Sequence, residues 1–441
     1  MVGVEWDRMK QGQELTPGQI RAAIPGSGLF RGGGIPWRMS PEPLRLPRAL
    51  VRQMEGLGHV LARFQDAAQG LYLDSLSGKE AAWLAPMLEA GKPAELVEAQ
   101  RAAVRRGEFP RVIRPDLLWC ADGLALAELD SVPGGMGTTL WLSRLYATAG
   151  YDVLGGGEGM AEGFRATYPE GITIAVSDES ADYRPEMEYL AQSLGEGYTC
   201  ARAEELPPDY PRPLYRFFEL FDLGNIPAAR AWLAASAAGK FSMSPPPIEH
   251  TEEKAWLALF HMPGLQRSWQ RRLRAAHLAR LRQLIPYGWI PDPAPLPPQA
   301  ALPRLNLHSW QDVAELGRQE RRLVLKISGF DARAWGGRGV SIGHDMPTDA
   351  WRDAVQQALR DFPNKLWVMQ EFREAQIIEH PYYTEDGGLA RMQGRVRLCP
   401  YYFRRADGST RLAGCLATIA PADKKKIHGM RDAVLVPCTA G

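Results

Sequence analysis

The chain has 441 residues, 45% hydrophobic and 23% charged, which suits a globular protein able to bury large cores in two or three domains. A formal net charge of +1 leaves no global field to recruit nucleic acid or an acidic membrane. No uninterrupted apolar run is long enough to span a bilayer, and MVGVEWDRMKQGQEL at the start has no apolar leader core.

Cys120, Cys200, Cys399, Cys415 and Cys438 lie far apart with no C-x-x-C pair, which argues against a zinc site. Their odd number fits reduced thiols, so the expectation is a soluble cytoplasmic protein. The basic runs Arg267–Arg282 and Lys424–Lys426 read as solvated faces rather than a nucleic-acid footprint.

Residues 1 to 45 are loop-rich, with Gly32-Gly33-Gly34 as a flexible run. Leu50, Met54, Leu57, Leu61 and Phe64 then recur at steps of three and four, the mark of a helix. A second helix spans Pro93 to Arg106, just before Gly107. Residues 1–109 therefore form a helical N-terminal region.

Val112–Trp119 and Leu124–Leu129 are extended apolar runs around the turn Ala121-Asp122-Gly123, a hairpin pattern. Asp116 sits on the first run. Glu128 and Asp130 follow on the second, two apart and so on one face of a strand. If the turn brings Asp116 back beside them, hard carboxylate ligands gather with Arg114 nearby, a set suited to Mg²⁺ and phosphates. Pro133-Gly134-Gly135 lets backbone N–H groups approach an anion. The alternative is an ordinary hairpin whose acidic residues face water.

Thr138–Thr148 reads as a helix, and Gly155–Gly159 as a domain linker, since no register gives G-x-G-x-x-G. A small α/β unit follows: strand Ile172–Val176, helix Pro185–Leu194, strand Tyr198–Ala201, apolar run Leu214–Leu220 and helix Ile226–Ser236. Its loop Ser177–Arg184 lies at the carboxyl end of the first strand, where open α/β sheets bind ligands. A capped polar loop is the plain alternative.

Pro245-Pro246-Pro247 marks a boundary, after which Thr251 caps a predicted helix, TEEKAWLALF. Lys254 is out of place there, a cation near a positive helix end, unless an anion answers it or it reaches solvent. Arg267–Ile285 reads as one long basic helix and Pro291–Pro303 as a spacer.

The last third begins with a strand, Arg322–Ile327, carrying Lys326. The loop SGFDARAWGGRG contains Gly336, Gly337, Arg338 and Gly339, and the strand Val340–Gly343 follows it. Helix Thr348–Phe362 and strand Leu366–Phe372 complete the unit. This order suits a glycine lid over nucleotide phosphates, or else a mobile surface loop. Arg391–Phe403 and Arg411–Ile419 are antiparallel strands with Arg395 and Arg397 on one face.

Arg114-Pro115-Asp116 followed by Glu128-Leu129-Asp130-Ser131-Val132-Pro133 resembles the metal-binding segment of ATP-grasp ligases. The match is closer to the circularly permuted branch that contains glutathionylspermidine synthetase, where this segment comes early in the chain. That branch usually has an asparagine where this chain has Asp130. Lys254 and Lys326 resemble its two nucleotide lysines, GGRGV its phosphate-covering loop, and Gln370-Glu371-Phe372 its adenine hinge.

The resemblance implies a circularly permuted ATP-grasp fold, α+β with a small Rossmann-like α/β domain ahead of it and a helical N-terminal region. The segments would be 1–109, 110–150 (metal-binding), 151–249 (small α/β) and 250–441 (nucleotide-binding). It further implies an ATP-dependent carboxylate–amine ligase acting through an acyl phosphate. Asp116, Glu128 and Asp130 would hold Mg²⁺. Lys254 and Lys326 would bind ATP phosphates, and Arg114 and Arg338 would act catalytically. The partners would be a small carboxylate and a small amine.

Two rivals remain. One is a non-catalytic nucleotide-binding relative. The other is a serine hydrolase, since Gly339-Val340-Ser341-Ile342-Gly343 matches G-x-S-x-G, although the strand–serine–helix context of that elbow is missing.

Overall fold

The hairpin around Ala121–Gly123 forms as β2 (Val112–Cys120) and β3 (Gly123–Asp130), with a bulge after Asp116. In the computed structural model, which describes residues 12–26, 28–30, 34–334, 337–427 and 431–441, this hairpin is one edge of the largest sheet. The other strands are β1 (Leu44–Leu46), β12 (Ile377–Tyr383), β13 (Leu389–Arg404), β14 (Thr410–Pro421) and β15 (Val434–Ala440). Their order is β1-β15-β14-β13-β2-β3, with β12 paired to β13, and only β1 runs parallel to its neighbour.

Because strand side chains alternate, the sheet has two distinct faces. One presents Tyr402 to the N-terminal helices, where its hydroxyl donates to the Met54 carbonyl at 2.6 Å. Helix Leu57–Leu76 carries the predicted apolar stripe into this layer, and Leu61, Phe64 and Leu71 join the main buried cluster. The opposite face is the floor of a cavity.

A second sheet is wholly antiparallel, in the order β10-β9-β11-β8. It comprises β8 (Gly288–Trp289), β9 (Leu323–Ile327), β10 (Val340–Ile342) and β11 (Trp367–Glu371). Helix Thr348–Asp361 covers it, sharing a core of Trp351, Val355, Leu323, Leu325 and Ile327. The third sheet is parallel, in the order β5-β4-β6-β7: β4 (Ile172–Val176), β5 (Tyr198–Arg202), β6 (Leu214–Phe217) and β7 (Met243–Ser244). β4 is buried along its whole length, as an uninterrupted apolar run on a parallel sheet requires.

Several elements differ from expectation. The long basic helix is two, Gln266–Arg272 and Ala275–Leu284, because Leu273 takes an extended conformation to reach the core. Thr251 caps no helix: its hydroxyl donates to the Ile248 carbonyl in a short turn, and the helix begins only at Ala255. Gly155 and Gly159 are pressed against the Ala413 backbone, so this glycine run is a packed turn rather than a loose linker. Gly32 and Gly33 of the N-terminal glycine run lie outside the described residues. Among the described residues, no helix is long and apolar enough to cross a membrane.

Candidate functional site

The three sheets meet around one cavity of about 860 Å³. Its floor is built from alternate residues of adjacent strands: Glu128 and Asp130 on β3, Arg114 and Asp116 on β2, Arg397, Cys399 and Tyr401 on β13. Leu416, Thr418 and Leu435 continue it across β14 and β15. The second sheet contributes Val324, Lys326, Val340, Ile342 and Gln370, with Glu371 and Phe372 beyond. From the carboxyl ends of the parallel strands come Ser180, Asp182, Tyr183 and Phe217, where the fold rule placed a ligand loop.

The hairpin register sets Arg114 opposite Asp130 and Asp116 opposite Glu128. Arg114 Nη2 lies 2.6 Å from Asp130 Oδ2 and 3.1 Å from Asp116 Oδ1. Arg397 Nη1 reaches the other side of Asp116 at 2.8 Å. Burial would raise the Asp116 pKa, but the two guanidiniums outweigh it and hold that carboxyl below its ordinary value. Asp130 goes the other way: burial, then Glu128 and Asp116, lift it against the pull of Arg114.

Lys254 meets the anion its position demanded. Its Nζ lies 2.7 Å from Glu128 Oε1 and donates to the Ala334 carbonyl at 2.7 Å. Burial works against its charge, yet Glu128 and more distant carboxylates keep its pKa raised. Lys326 Nζ donates to the Ala127 carbonyl at 2.8 Å and to Gln370 Oε1 at 3.0 Å. Among the described residues no carboxylate pairs with it, and burial pushes it down to about 8.

The other sequence candidates are more scattered. Gly337 lines the cavity, whereas Gly339 is folded back beneath it, its N–H donating to the Arg333 carbonyl at 2.8 Å. Gly336 lies outside the described residues. Arg338 stands off the cavity wall, 3.3 Å from Glu179 of the parallel-sheet loop. Glu371 pairs with Arg304 at 3.0 Å, and the Phe372 N–H donates to the Arg322 carbonyl at 2.9 Å.

Asp116, Glu128 and Asp130 stand side by side, each held by a protein cation, Asp116 and Asp130 sharing Arg114 and Glu128 taking Lys254. Among the described residues, no group of three or more His, Cys, Asp or Glu side chains forms a ready metal cage. The Gly134-Gly135 backbone also differs from expectation. Its N–H cradle is filled by the protein's own Glu186, which accepts from Gly135 N at 2.7 Å and Thr138 N at 3.0 Å. Ser341 lies within β10 opposite Leu325, followed by a single 3-10 turn, Gly343–Asp345, and the α-helix begins only at Thr348. It has neither the sharp turn nor the cavity position of a hydrolase nucleophile.

Three site residues carried no usable sequence signal. Arg397 was visible only as one of two arginines on a strand face. Glu186 and Glu219 come from elements distant in sequence. Glu219 is half-buried, and desolvation first, then Glu252 and Asp130, raise its pKa well above the ordinary carboxylate value.

No family model and no curated protein matches this chain. Among solved structures it is similar to a glutathione synthetase-like effector from Globodera pallida in its apo form. That likeness has a TM-score of 0.54 at 13% identity and covers 96% of this chain and 95% of the other. A putative gamma-glutamylcysteine synthetase from Methylobacillus flagellatus aligns at 11% identity over 77% of this chain and 84% of the other. Its TM-score of 0.36 carries no argument. What the first likeness shows is the fold: mixed α/β, of the glutathione synthetase-like kind.

Proposed function

We propose that this chain is an ATP-dependent carboxylate–amine ligase with a circularly permuted ATP-grasp arrangement, working in the cytoplasm. One observation carries the reading. Lys326, Arg114 and Arg397 line the cavity floor around one stretch of β2 and β3, and Lys254 reaches the same stretch through Glu128 from a smaller adjoining pocket. Such convergence suits a polyanion, and a triphosphate is the polyanion that the motif order suggests.

A carboxylate is a poor electrophile and needs activation before an amine can attack. In the proposed reaction its oxygen forms a bond to the γ-phosphorus while the bond to ADP breaks. The amine nitrogen then attacks the acyl carbon, inorganic phosphate leaves, and the amine proton passes to solvent. Positioning and charge neutralisation dominate such phosphoryl transfers. Lys326 and Lys254 would bind phosphate oxygens, with Arg114 and Arg397 facing the transferred group.

The hard oxygens of Glu128 and Asp130 fit Mg²⁺, which commonly takes one or two carboxylates and fills its shell with phosphate and water. The metal would supply neutralisation of phosphate charge. Gln370 to Phe372 would border the adenine, and Gly337 with Arg338 would cover the phosphates.

The test is ADP release from Mg²⁺–ATP over a panel of carboxylic acids, with hydroxylamine trapping any acyl phosphate as a hydroxamate. ATP should also raise the melting temperature, by roughly 2.7 kcal/mol of stabilisation at a hundredfold excess over Kd. Lys326→Ala should abolish that rise. Equal shifts in both proteins would overturn the nucleotide assignment. A Lys326-dependent shift without ADP release from any acid would favour a non-catalytic nucleotide binder.

A further inference from the structure

We propose that the amine taken by this site is a monoamine with an apolar, ring-sized body and no carboxylate beside its nitrogen, and that Glu186 selects it. The inference rests on the ligase reading above and names the class of its nucleophile. It starts from helix Met136–Thr148, whose first N–H groups point toward the cavity end where Gly134, Gly135 and Thr138 form the wall. The start of such a helix attracts anions, because its N–H groups are unpaired and its dipole is positive there.

That attraction is already used. Glu186 is 4% exposed, and its Oε2 accepts from Thr138 Oγ1 at 2.8 Å in addition to the two backbone N–H groups. Both carboxylate oxygens act as acceptors, so the donors that would hold a substrate carboxylate are occupied by the protein's own carboxyl group, whose pKa burial raises although these donors oppose it. Asp182 lines the same cavity from the loop before helix Arg184–Leu194. The nearby guanidinium, Arg114, donates weakly to the Gly134 carbonyl at 3.4 Å and is committed to Asp130 and Asp116. An amino acid placed here would bring a carboxylate to Glu186, where Arg114 and Arg397, the guanidiniums acting on this wall, are already paired with Asp116 and Asp130. A bare ammonium would be attracted.

The remaining wall is apolar and aromatic. The Tyr183 ring lies over Gly134, where an added Cβ would come within 2.6 Å of it, and Phe217 stands 5.6 Å behind Tyr183. Phe30 packs edge-on against Trp141, one turn along the same helix from Thr138, at 5.6 Å. Leu416 closes the floor near Gly135. Aromatic faces favour a cation and offer a ring something to stack on. A long, many-charged amine would waste both properties.

Calorimetric titration of the full chain saturated with Mg²⁺–ADP decides the matter. The probes are phenethylamine, phenylalanine and 3-phenylpropionate, which share a ring and differ in the ionised group. Phenethylamine should bind at least about tenfold more tightly than either of the others. Glu186→Gln keeps the size but removes the charge, so it should collapse that ratio, weakening the amine and strengthening 3-phenylpropionate. Should Glu186→Gln fail to fold, Asp182→Asn at the exposed loop should weaken phenethylamine selectively, and Phe30→Ala should weaken all three probes together.

Phenylalanine or 3-phenylpropionate binding as tightly as the amine would overturn the inference. So would a linear polyamine binding more tightly than phenethylamine, or an unchanged ranking in the Glu186 variant. If nucleotide binds and none of the probes does, this inference fails while the ligase reading stands. If nucleotide does not bind, both fail.

Discussion

Lys326 is the buried cation on which the proposed triphosphate would act most directly. Two neutral oxygens hold its ammonium, and burial, opposed by Glu128 and aided by Lys254, lowers its pKa to about 8. A bound triphosphate would raise that pKa, so ATP binding must be accompanied by proton uptake where the free lysine is partly neutral. Calorimetry near pH 8, in buffers of different ionisation heat, should show uptake of up to about half a proton, since the free lysine is about half neutral there. ATP affinity should fall as pH rises through that value. Lys326→Met should lose both effects, and buffer-independent heats in the wild type would contradict the role. By contrast, Lys254 is already neutralised by Glu128, so it should contribute little to the pH dependence.

At the scale of elements, the closest constraint is the crossing of helices Met136–Thr148 and Arg184–Leu194. A Cβ on Gly137 would run into the Glu186 carbonyl oxygen, which is backbone and cannot rotate away. Alanine is the better helix former by up to about 1 kcal/mol, but overpacking of this kind costs about 1–3 kcal/mol. Gly137→Ala should therefore lower the urea midpoint with little change in slope. A midpoint at or above wild type would show that the helices can separate without penalty.

This crossing also explains what was hidden in the sequence. Gly134 and Gly135 advertise an anion cradle, but its occupant is a glutamate fifty-one positions away, brought in by the parallel-sheet unit. The hairpin, the amphipathic helices and β4 were legible because their periodicity is local. The Arg267–Ile285 break was not, because Leu273 leaves the helix for a core contact that local sequence does not reveal.

Across the whole molecule, the N-terminal helical layer is joined to the Lys254 segment through His250. Its ring packs on Tyr72 at 4.5 Å, its N–H donates to Gln100 Oε1 at 3.0 Å, and its carbonyl accepts from Trp256 Nε1 at 2.8 Å. Burial, reinforced by Lys92, drives the imidazole pKa down to about 3 from an ordinary 6.5. Between those values the unfolded chain binds a proton that the folded chain refuses. Stability from this group is therefore complete above pH 6.5 and declines as pH falls toward 3, by at most about 1.4 kcal/mol per pH unit. His250→Phe keeps an aromatic ring and removes the titration, so its acid limb should be shallower by about one proton. His261 and His380, both lowered to about 4, would keep some of the slope. Identical acid limbs in the two proteins would rule out His250 as a contributor.

The sequence by itself determined the local elements and the order of the charged motifs along the chain. Strand alternation, helical periodicity and turn chemistry act over a few residues, so they can be read directly. The spacing of Arg114, Asp116, Glu128 and Asp130 was equally local, since a single hairpin sets it. Tertiary structure alone decided which charges answer one another. Arg397 reaches Asp116 across a strand pairing of residues nearly three hundred positions apart, Lys254 reaches Glu128 from a turn before a helix, and Glu186 fills the glycine cradle. These contacts depend on how three sheets pack around one cavity, and a carboxylate's charge has no period from which its partner could be inferred.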